Sequence, residues 1–270
     1  MYGRRDEDHK LPGVGLNTPD VSLAVMGVTH RYHQTGSDVE VLRNINFEVR
    51  RHEFVSLLGP SGCGKSTVLN LLAGFFPPSE GTIHHEGRLV TGPSRTRGVV
   101  FQGDAVFPWL TVKDNVAFSL KSRRVAKSEW EPIVDRYIRL VGLEGAEHLF
   151  PKHLSGGMRK RVDVARAFAS GPDLLLMDES FGSLDSQTKE KLQLDLLDLC
   201  EREHKTVVFV THDIEEALFL ADRVIVMSRN PGQVHSVVQV PFPRPRDPDL
   251  RVGTRMQQLR AEIHDLLADL

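Results

Sequence analysis

The chain has 270 residues, 40% hydrophobic and 26% charged, with 34 Lys and Arg against 36 Asp and Glu for a net charge of −2. These proportions suit a soluble globular fold and exclude a disordered or fibrous chain, and the near-neutral balance leaves no global basic field to collect nucleic acid. No apolar run reaches the roughly 20 residues that span a bilayer, so any work at a membrane is done from outside it.

Residues 1–20 are polar with scattered Gly and Pro and read as a disordered extension. The N-terminus lacks the apolar core of a secretory signal, and Cys63 and Cys200 have the spacing of neither a redox pair nor a zinc site. A cytoplasmic location is expected. Val21 to Val28 and Val41 to Val49 read as strands separated by the turn-rich segment His33 to Asp38. Phe54 to Leu58 is a short buried strand entering a glycine-rich loop. A helix is predicted from Lys65 to a terminating Gly74, with Pro77 and Pro78 blocking its continuation. From about 104 to 165 the pattern turns helical, and Ser128 to Glu131 resembles a capping box opening an amphipathic helix toward Leu140. Strands return at Leu174 to Asp178, Val207 to Thr211 and Val224 to Met227, with helices between them. This alternation predicts an α/β fold with a parallel sheet covered on both faces. Pro241 to Pro248 reads as a proline-rich linker. Met256, Leu259, Ile263, Leu266, Leu267 and Leu270 then mark a terminal amphipathic helix, which either packs on its own domain or docks a partner.

Gly59-Pro60-Ser61-Gly62-Cys63-Gly64-Lys65-Ser66 fits the phosphate-loop pattern G-x-x-x-x-G-K-[ST], placed between a predicted strand and a predicted helix. Glycines let the backbone close around an anion and point its N–H groups inward, and the helix N-terminus adds positive potential. Lys65 is expected on the β- and γ-phosphates and Ser66 on magnesium. Farther on, an apolar strand ends in Asp178-Glu179. A carboxylate at the C-terminal end of such a strand can approach the magnesium, which is the role expected of Asp178, and Glu179 is then placed to polarise an attacking water.

Between these motifs lies Leu154-Ser155-Gly156-Gly157-Met158. It resembles the signature of the ATP-binding cassette (ABC) ATPases, LSGGQ in its commonest form. Other elements follow that family's order. Tyr32 stands where an aromatic stacks on adenine, Thr67 closes the phosphate loop, Gln102 looks like the Q-loop glutamine, Ser183-Leu184-Asp185 resembles the D-loop, and His212 resembles the switch histidine. The resemblance runs from about Val21 to Met227 and implies a P-loop NTPase domain over 21–240. It implies a parallel-sheet core, an antiparallel β subdomain, and a helical subdomain at about 104–165. The implied ligands are ATP and magnesium, with Gln102 a further magnesium ligand. Two copies would pair head to tail, with Ser155, Gly156 and Gly157 of one facing ATP on the phosphate loop of the other and Asp185 at the same interface. Permease subunits, and indirectly a solute-binding protein, are the implied partners at the inner face of the membrane.

Phe107-Pro108-Trp109-Leu110-Thr111 after the glutamine, and Asp213-Ile214-Glu215-Glu216-Ala217 after the histidine, resemble the importers of nitrate, sulfonates and taurine. Importers of amines or pyrimidine precursors are similar. Some positions depart from the family. Ser180 stands where a proline is usual, Lys160 replaces a common glutamine, Asp163 replaces a small residue, and Arg51-His52-Glu53 lacks a glycine before the glutamate. Serine is expected to loosen the turn that proline would preset. The competing readings are a soluble ABC ATPase of DNA repair or translation and a nucleotide-binding module without turnover. A single cassette without insertions opposes the first; Glu179 and His212 oppose the second.

Overall fold

The structure, a computed structural model, describes residues 20–34, 37–103, 105–181 and 185–270. The predicted N-terminal extension, apart from Asp20, lies outside the described residues, as do Ser183 and Leu184. Two sheets organise the chain. β1 (Val21–Gln34) and β2 (Ser37–Arg50) pair antiparallel, and β4 (Glu80–His85) and β5 (Arg88–Leu89) complete a four-stranded sheet in the order β2-β1-β4-β5. The hairpin strands run farther than predicted: His33 pairs with Asp38 inside the segment expected to be a turn.

The second sheet has six strands in the order β10-β9-β3-β8-β7-β6. β3 (Phe54–Leu58), β6 (Arg97–Val100), β7 (Leu174–Asp178), β8 (Thr206–Thr211) and β9 (Arg223–Ser228) run parallel, and β10 (Gln233–Gln239) pairs antiparallel at the edge. The apolar runs that predicted β3, β7 and β8 are explained by burial on both faces. In β7, Leu174 and Leu176 join the core shared with the antiparallel sheet, whereas Leu175 and Met177 join the core under the other helices. α1 (Lys65–Ala73) fills the first of these cores with Val68, Leu69 and Leu72. It ends at Gly74, whose φ of 80° is the left-handed conformation a helix stop requires.

The helical part contains α2 (Val112–Ser122), α3 (Lys127–Leu140) and α4 (Gly156–Ala169). α3 corrects the expected capping box. Glu129 N and Trp130 N both bond to the Ala126 carbonyl, so the helix starts ahead of Ser128, which falls within its first turn. α4 runs beyond the predicted end near 165 and packs on β6, tying the helical part to the main sheet.

After α5 (Ser186–Arg202) and α6 (Ile214–Leu220), the proline-rich segment behaves as a strap rather than a loose linker. Arg244 Nη2 donates to Leu220 O (2.9 Å), and the fully buried Arg246 side chain donates to Phe219 O (3.1 Å) and Ala221 O (2.6 Å). Guanidinium groups are well suited to the unpaired carbonyls at a helix C-terminus. α7 (Thr254–Ala268) buries Met256, Leu259 and Ile263 against α6 and β9. No helix among the described residues is long and apolar enough to cross a membrane.

Candidate active site

The loop after β3 turns directly into α1. Gly64 caps that helix at a φ of 93°. A Cβ there would be strained and would lie 2.6 Å from Leu42 Cδ2. At Gly59 a Cβ would lie 2.7 Å from the Met227 carbonyl, so the loop sits against the end of β9. No side chain caps the N-terminus of α1. The loop borders a cavity of about 340 Å³ whose walls include Ser61, Gly62, Lys65, Ser66, Gln102 and Glu179. Lys65 is 6% exposed, and its Nζ donates to Gly59 O (2.7 Å) and Pro60 O (3.2 Å). The ammonium is therefore held by carbonyls of its own loop. Cys63 is buried, and burial pushes its thiol pKa up, which disfavours the reactive thiolate.

Two carboxylates face this loop with different surroundings. Asp178, at the end of β7, is half-buried, and its Oδ1 is buried without a hydrogen-bond partner. Burial raises its pKa; the charge of Glu179 adds to the rise, while the Ser66 hydroxyl, Lys65 and Lys160 oppose it. An orphaned carboxylate oxygen beside a serine hydroxyl and an anion-binding loop is a donor set that fits magnesium, which takes one or two carboxylates together with phosphate oxygens. Glu179 has a φ of 36°, a strained value for a residue with a side chain. Its Oε2 accepts from Gln102 Nε2 (2.8 Å), and its Oε1 lies 3.1 Å from His212 Nδ1. Residues from three separate parts of the chain thus meet at one carboxylate beside the cavity. Ser180 is buried and its hydroxyl donates to the Asp178 carbonyl (3.3 Å), so serine makes a tie of its own in the turn that was expected to be loose.

Tyr32 lies at the far side of the loop, its hydroxyl 3.4 Å from Thr67 Oγ1. His30 meets its ring edge-on at 4.8 Å and stacks on Phe76 at 4.9 Å. His30 on β1, Val41 on β2 and Phe76 just after α1 carry no motif, and only folding brings them to this side of the site. Ser155 and Asp185 are exposed N-caps: Ser155 accepts from Met158 N (3.2 Å) to open α4, and Asp185 accepts from Thr188 N (3.0 Å) to open α5. Neither they nor Gly156 and Gly157 line the phosphate-loop cavity.

Residues 42–182, which span the phosphate loop, the Ser155 motif and Glu179, match the ABC transporter family. The chain belongs to that family. It is the ATP-binding subunit of an ABC transporter and an ATPase of the ABC fold. It is 43% identical to an uncharacterised ABC transporter ATP-binding protein of Methanocaldococcus jannaschii, covering 92% of each chain. It is 44% identical to the nitrate import ATP-binding protein of Synechococcus elongatus, covering 84% of each. It is 40% identical to the aliphatic sulfonates import ATP-binding protein of Bacillus cereus, covering 90% of this chain and 94% of that one. Among solved structures it is similar to a dimeric ATP-binding cassette in a post-hydrolysis state bound to ADP and Pi. That cassette gives a TM-score of 0.73 at 33% identity, over 82% of this chain and all of the other.

Proposed function

We propose that this ABC ATPase powers a bacterial importer of a small anion such as nitrate, a sulfonate or taurine, working as a head-to-tail dimer on the cytoplasmic face of the membrane. The observation that carries the importer reading is the continuity of one segment. Gln102 reaches Glu179 at the cavity, and a few residues later Trp109 is 69% exposed beside the half-buried Phe107. The nucleotide pocket and an exposed aromatic surface are thus joined by a short stretch of backbone. An aromatic surface of this kind is suited to anchoring a helix from a partner. The names of the nitrate and sulfonate relatives support the solute class.

In this reading the loop N–H groups and Lys65 bind the ATP phosphates, and the ring of Tyr32 supports the adenine. Ser66 and Asp178 would hold magnesium, with Gln102 as a further ligand, and the ion supplies neutralisation of the phosphate charge. Glu179 orients the attacking water, releasing a present partner to do so, and His212 steadies the carboxylate. Ser155, Gly156 and Gly157 from a second copy close the pocket over the γ-phosphate, with Asp185 at the same interface.

The test is to capture the membrane partner with the tagged chain and ask which solutes the associated binding protein retains, from a panel of nitrate, taurine, alkanesulfonates, amines and pyrimidine precursors. Recovery of a permease whose binding protein retains an anion supports the reading. Retention of an amine or a pyrimidine precursor overturns the anion assignment, and recovery of a DNA-repair or translation assembly instead of a permease overturns the importer assignment.

A further inference from the structure

α4 begins at Ser155 with the signature, and its buried side is unusual for the charges it carries. Lys160 and Asp163 are each 2% exposed, and the Arg166 side chain is 16% exposed. Spacings of three place all of them on one helix face. They reach backbone groups of Phe101 and Ala105, one on each side of Gln102. Lys160 Nζ donates to Phe101 O (2.5 Å), on the near side of Gln102. Asp163 Oδ2 accepts from Ala105 N (3.1 Å), and Arg166 Nη1 donates to Ala105 O (2.6 Å). Arg166 Nη2 also donates to Asp163 Oδ1 (2.8 Å), and its guanidinium lies over the Phe107 ring at 5.0 Å.

Burying charges is a weak route to stability, because desolvation offsets much of the attraction. Its more telling consequence here is geometric. None of the described residues from Phe101 to Phe107 is in a helix or strand, yet the backbone is tied to α4 on both sides of Gln102. Two of the three residues, Lys160 and Asp163, stand at positions where the sequence departs from a glutamine and a small side chain.

We propose that Lys160, Asp163 and Arg166 form a positioning clasp that makes the Gln102 segment and the signature helix move as one body. Contact between Gln102 and a bound γ-phosphate then displaces Ser155 and Phe107 together. The inference rests on the reading of Gln102 and Glu179 as residues of the nucleotide site. None of the three clasp residues lines the phosphate-loop cavity.

Lys160 also influences Asp178 electrostatically, so the test compares two substitutions that both remove its charge. Lys160→Gln keeps a donor toward Phe101 O; Lys160→Met keeps the length of the chain and loses the donor. Full-length protein is assayed for ATP Kd, steady-state kcat and amide hydrogen exchange over residues 101–109. For Lys160→Met we expect exchange in the segment to rise about tenfold, the effect of one lost hydrogen bond of ordinary strength. We expect kcat to fall about tenfold with ATP Kd within about twofold, since misplacing a catalytic group costs rate rather than binding. Lys160→Gln should recover at least about threefold of that loss in kcat. Equal kcat in the two variants, or wild-type kcat in Lys160→Met, overturns the proposal. If Lys160→Met is unfolded, Asp163→Ala carries the test, with the Ala105 amide as the exchange probe, and unchanged exchange or unchanged kcat overturns it. Wild-type protein that binds ATP but does not hydrolyse it would sink the reading of the nucleotide site, while the exchange comparison would still judge the clasp.

Discussion

Glu179 is held in a left-handed backbone conformation with its carboxylate shared between Gln102 and His212. Such strain in a residue with a side chain persists where surrounding structure enforces it, as at a reacting site. Glu179→Gln is expected to lower ATP turnover by about 10²–10⁴-fold, the usual loss for a positioned base, while ATP affinity stays within about twofold. Parallel turnover and equilibrium binding assays check this, and undiminished turnover would remove Glu179 from the chemistry. Asp178 gives a different expectation. Burial raises its folded pKa above the ordinary value, so the native state takes up this proton more readily than the unfolded chain. Its contribution to stability is then largest below the unfolded pKa and is lost as pH rises through the raised folded value. At pH 7 the ionised carboxylate opposes folding. Asp178→Asn is therefore expected to raise the thermal midpoint at pH 7, with the gain shrinking toward pH 4, and to abolish magnesium-dependent turnover. A midpoint that falls at pH 7 would contradict the electrostatic assignment. The motif residues here were legible in sequence because backbone geometry around a phosphate admits few residue types. The partners of Glu179 were each identifiable, but their meeting at one carboxylate was not.

Among the elements, the segment after Gln102 shows why an aromatic pair cannot be sorted into core and surface by type. Phe107 is half-buried, with its ring 4.4 Å from Phe118 and 5.6 Å from Trp109 and with Arg166 above it. Trp109 is largely open. Truncating Phe107 would mix lost packing with lost docking, so Trp109 is the cleaner probe. Trp109→Ala is expected to change stability by no more than about 0.5 kcal/mol, as for other exposed positions. Basal ATPase activity of the isolated chain should be unchanged, and association with the permease should weaken by about 2 kcal/mol, the scale of an aromatic anchor. Thermal unfolding, turnover and binding to permease in detergent separate these effects; full-strength permease binding would exclude this surface from coupling. Element boundaries were read well where caps or apolar runs are local, as at β3, β7 and the Gly74 stop. They were misread at α3, where the ladder from Ala126 and the burial of Trp130, Val134 and Tyr137 set the start of the helix.

For the whole molecule, the phosphate loop and the Ser155 motif do not share the cavity within one chain. The proposed completion of the pocket in trans gives a complementation test. Ser155→Arg and Lys65→Ala homodimers are each expected to be inactive. A mixed dimer combines an intact loop from the first chain with an intact signature from the second. Mixtures shown by cross-linking to contain heterodimers should hydrolyse ATP at up to about half the wild-type rate, since one of two sites is whole. Activity no higher than either parent in such mixtures would overturn independent action of a site completed in trans. Ser155 is an exposed cap, so its replacement costs about 1 kcal/mol of helix stability, too little to unfold the chain.

Taken alone, the sequence determined the α/β alternation, the phosphate loop, the paired carboxylates and the family resemblance, because each is written in neighbouring residues under strict local geometry. The tertiary structure decided what depends on distant contacts. β4, β5 and β10 are mostly polar or exposed and lack the continuous apolar run of β3 and β7, so only their pairing reveals them. The proline-rich segment became a strap because Arg244 and Arg246 found the carbonyls at the end of α6. Lys160 and Asp163 read as departures in a motif until folding laid α4 against the backbone on either side of Gln102. A charge in a sequence has no partner until the chain is closed; packing supplies the partner, and the partner gives the charge its role.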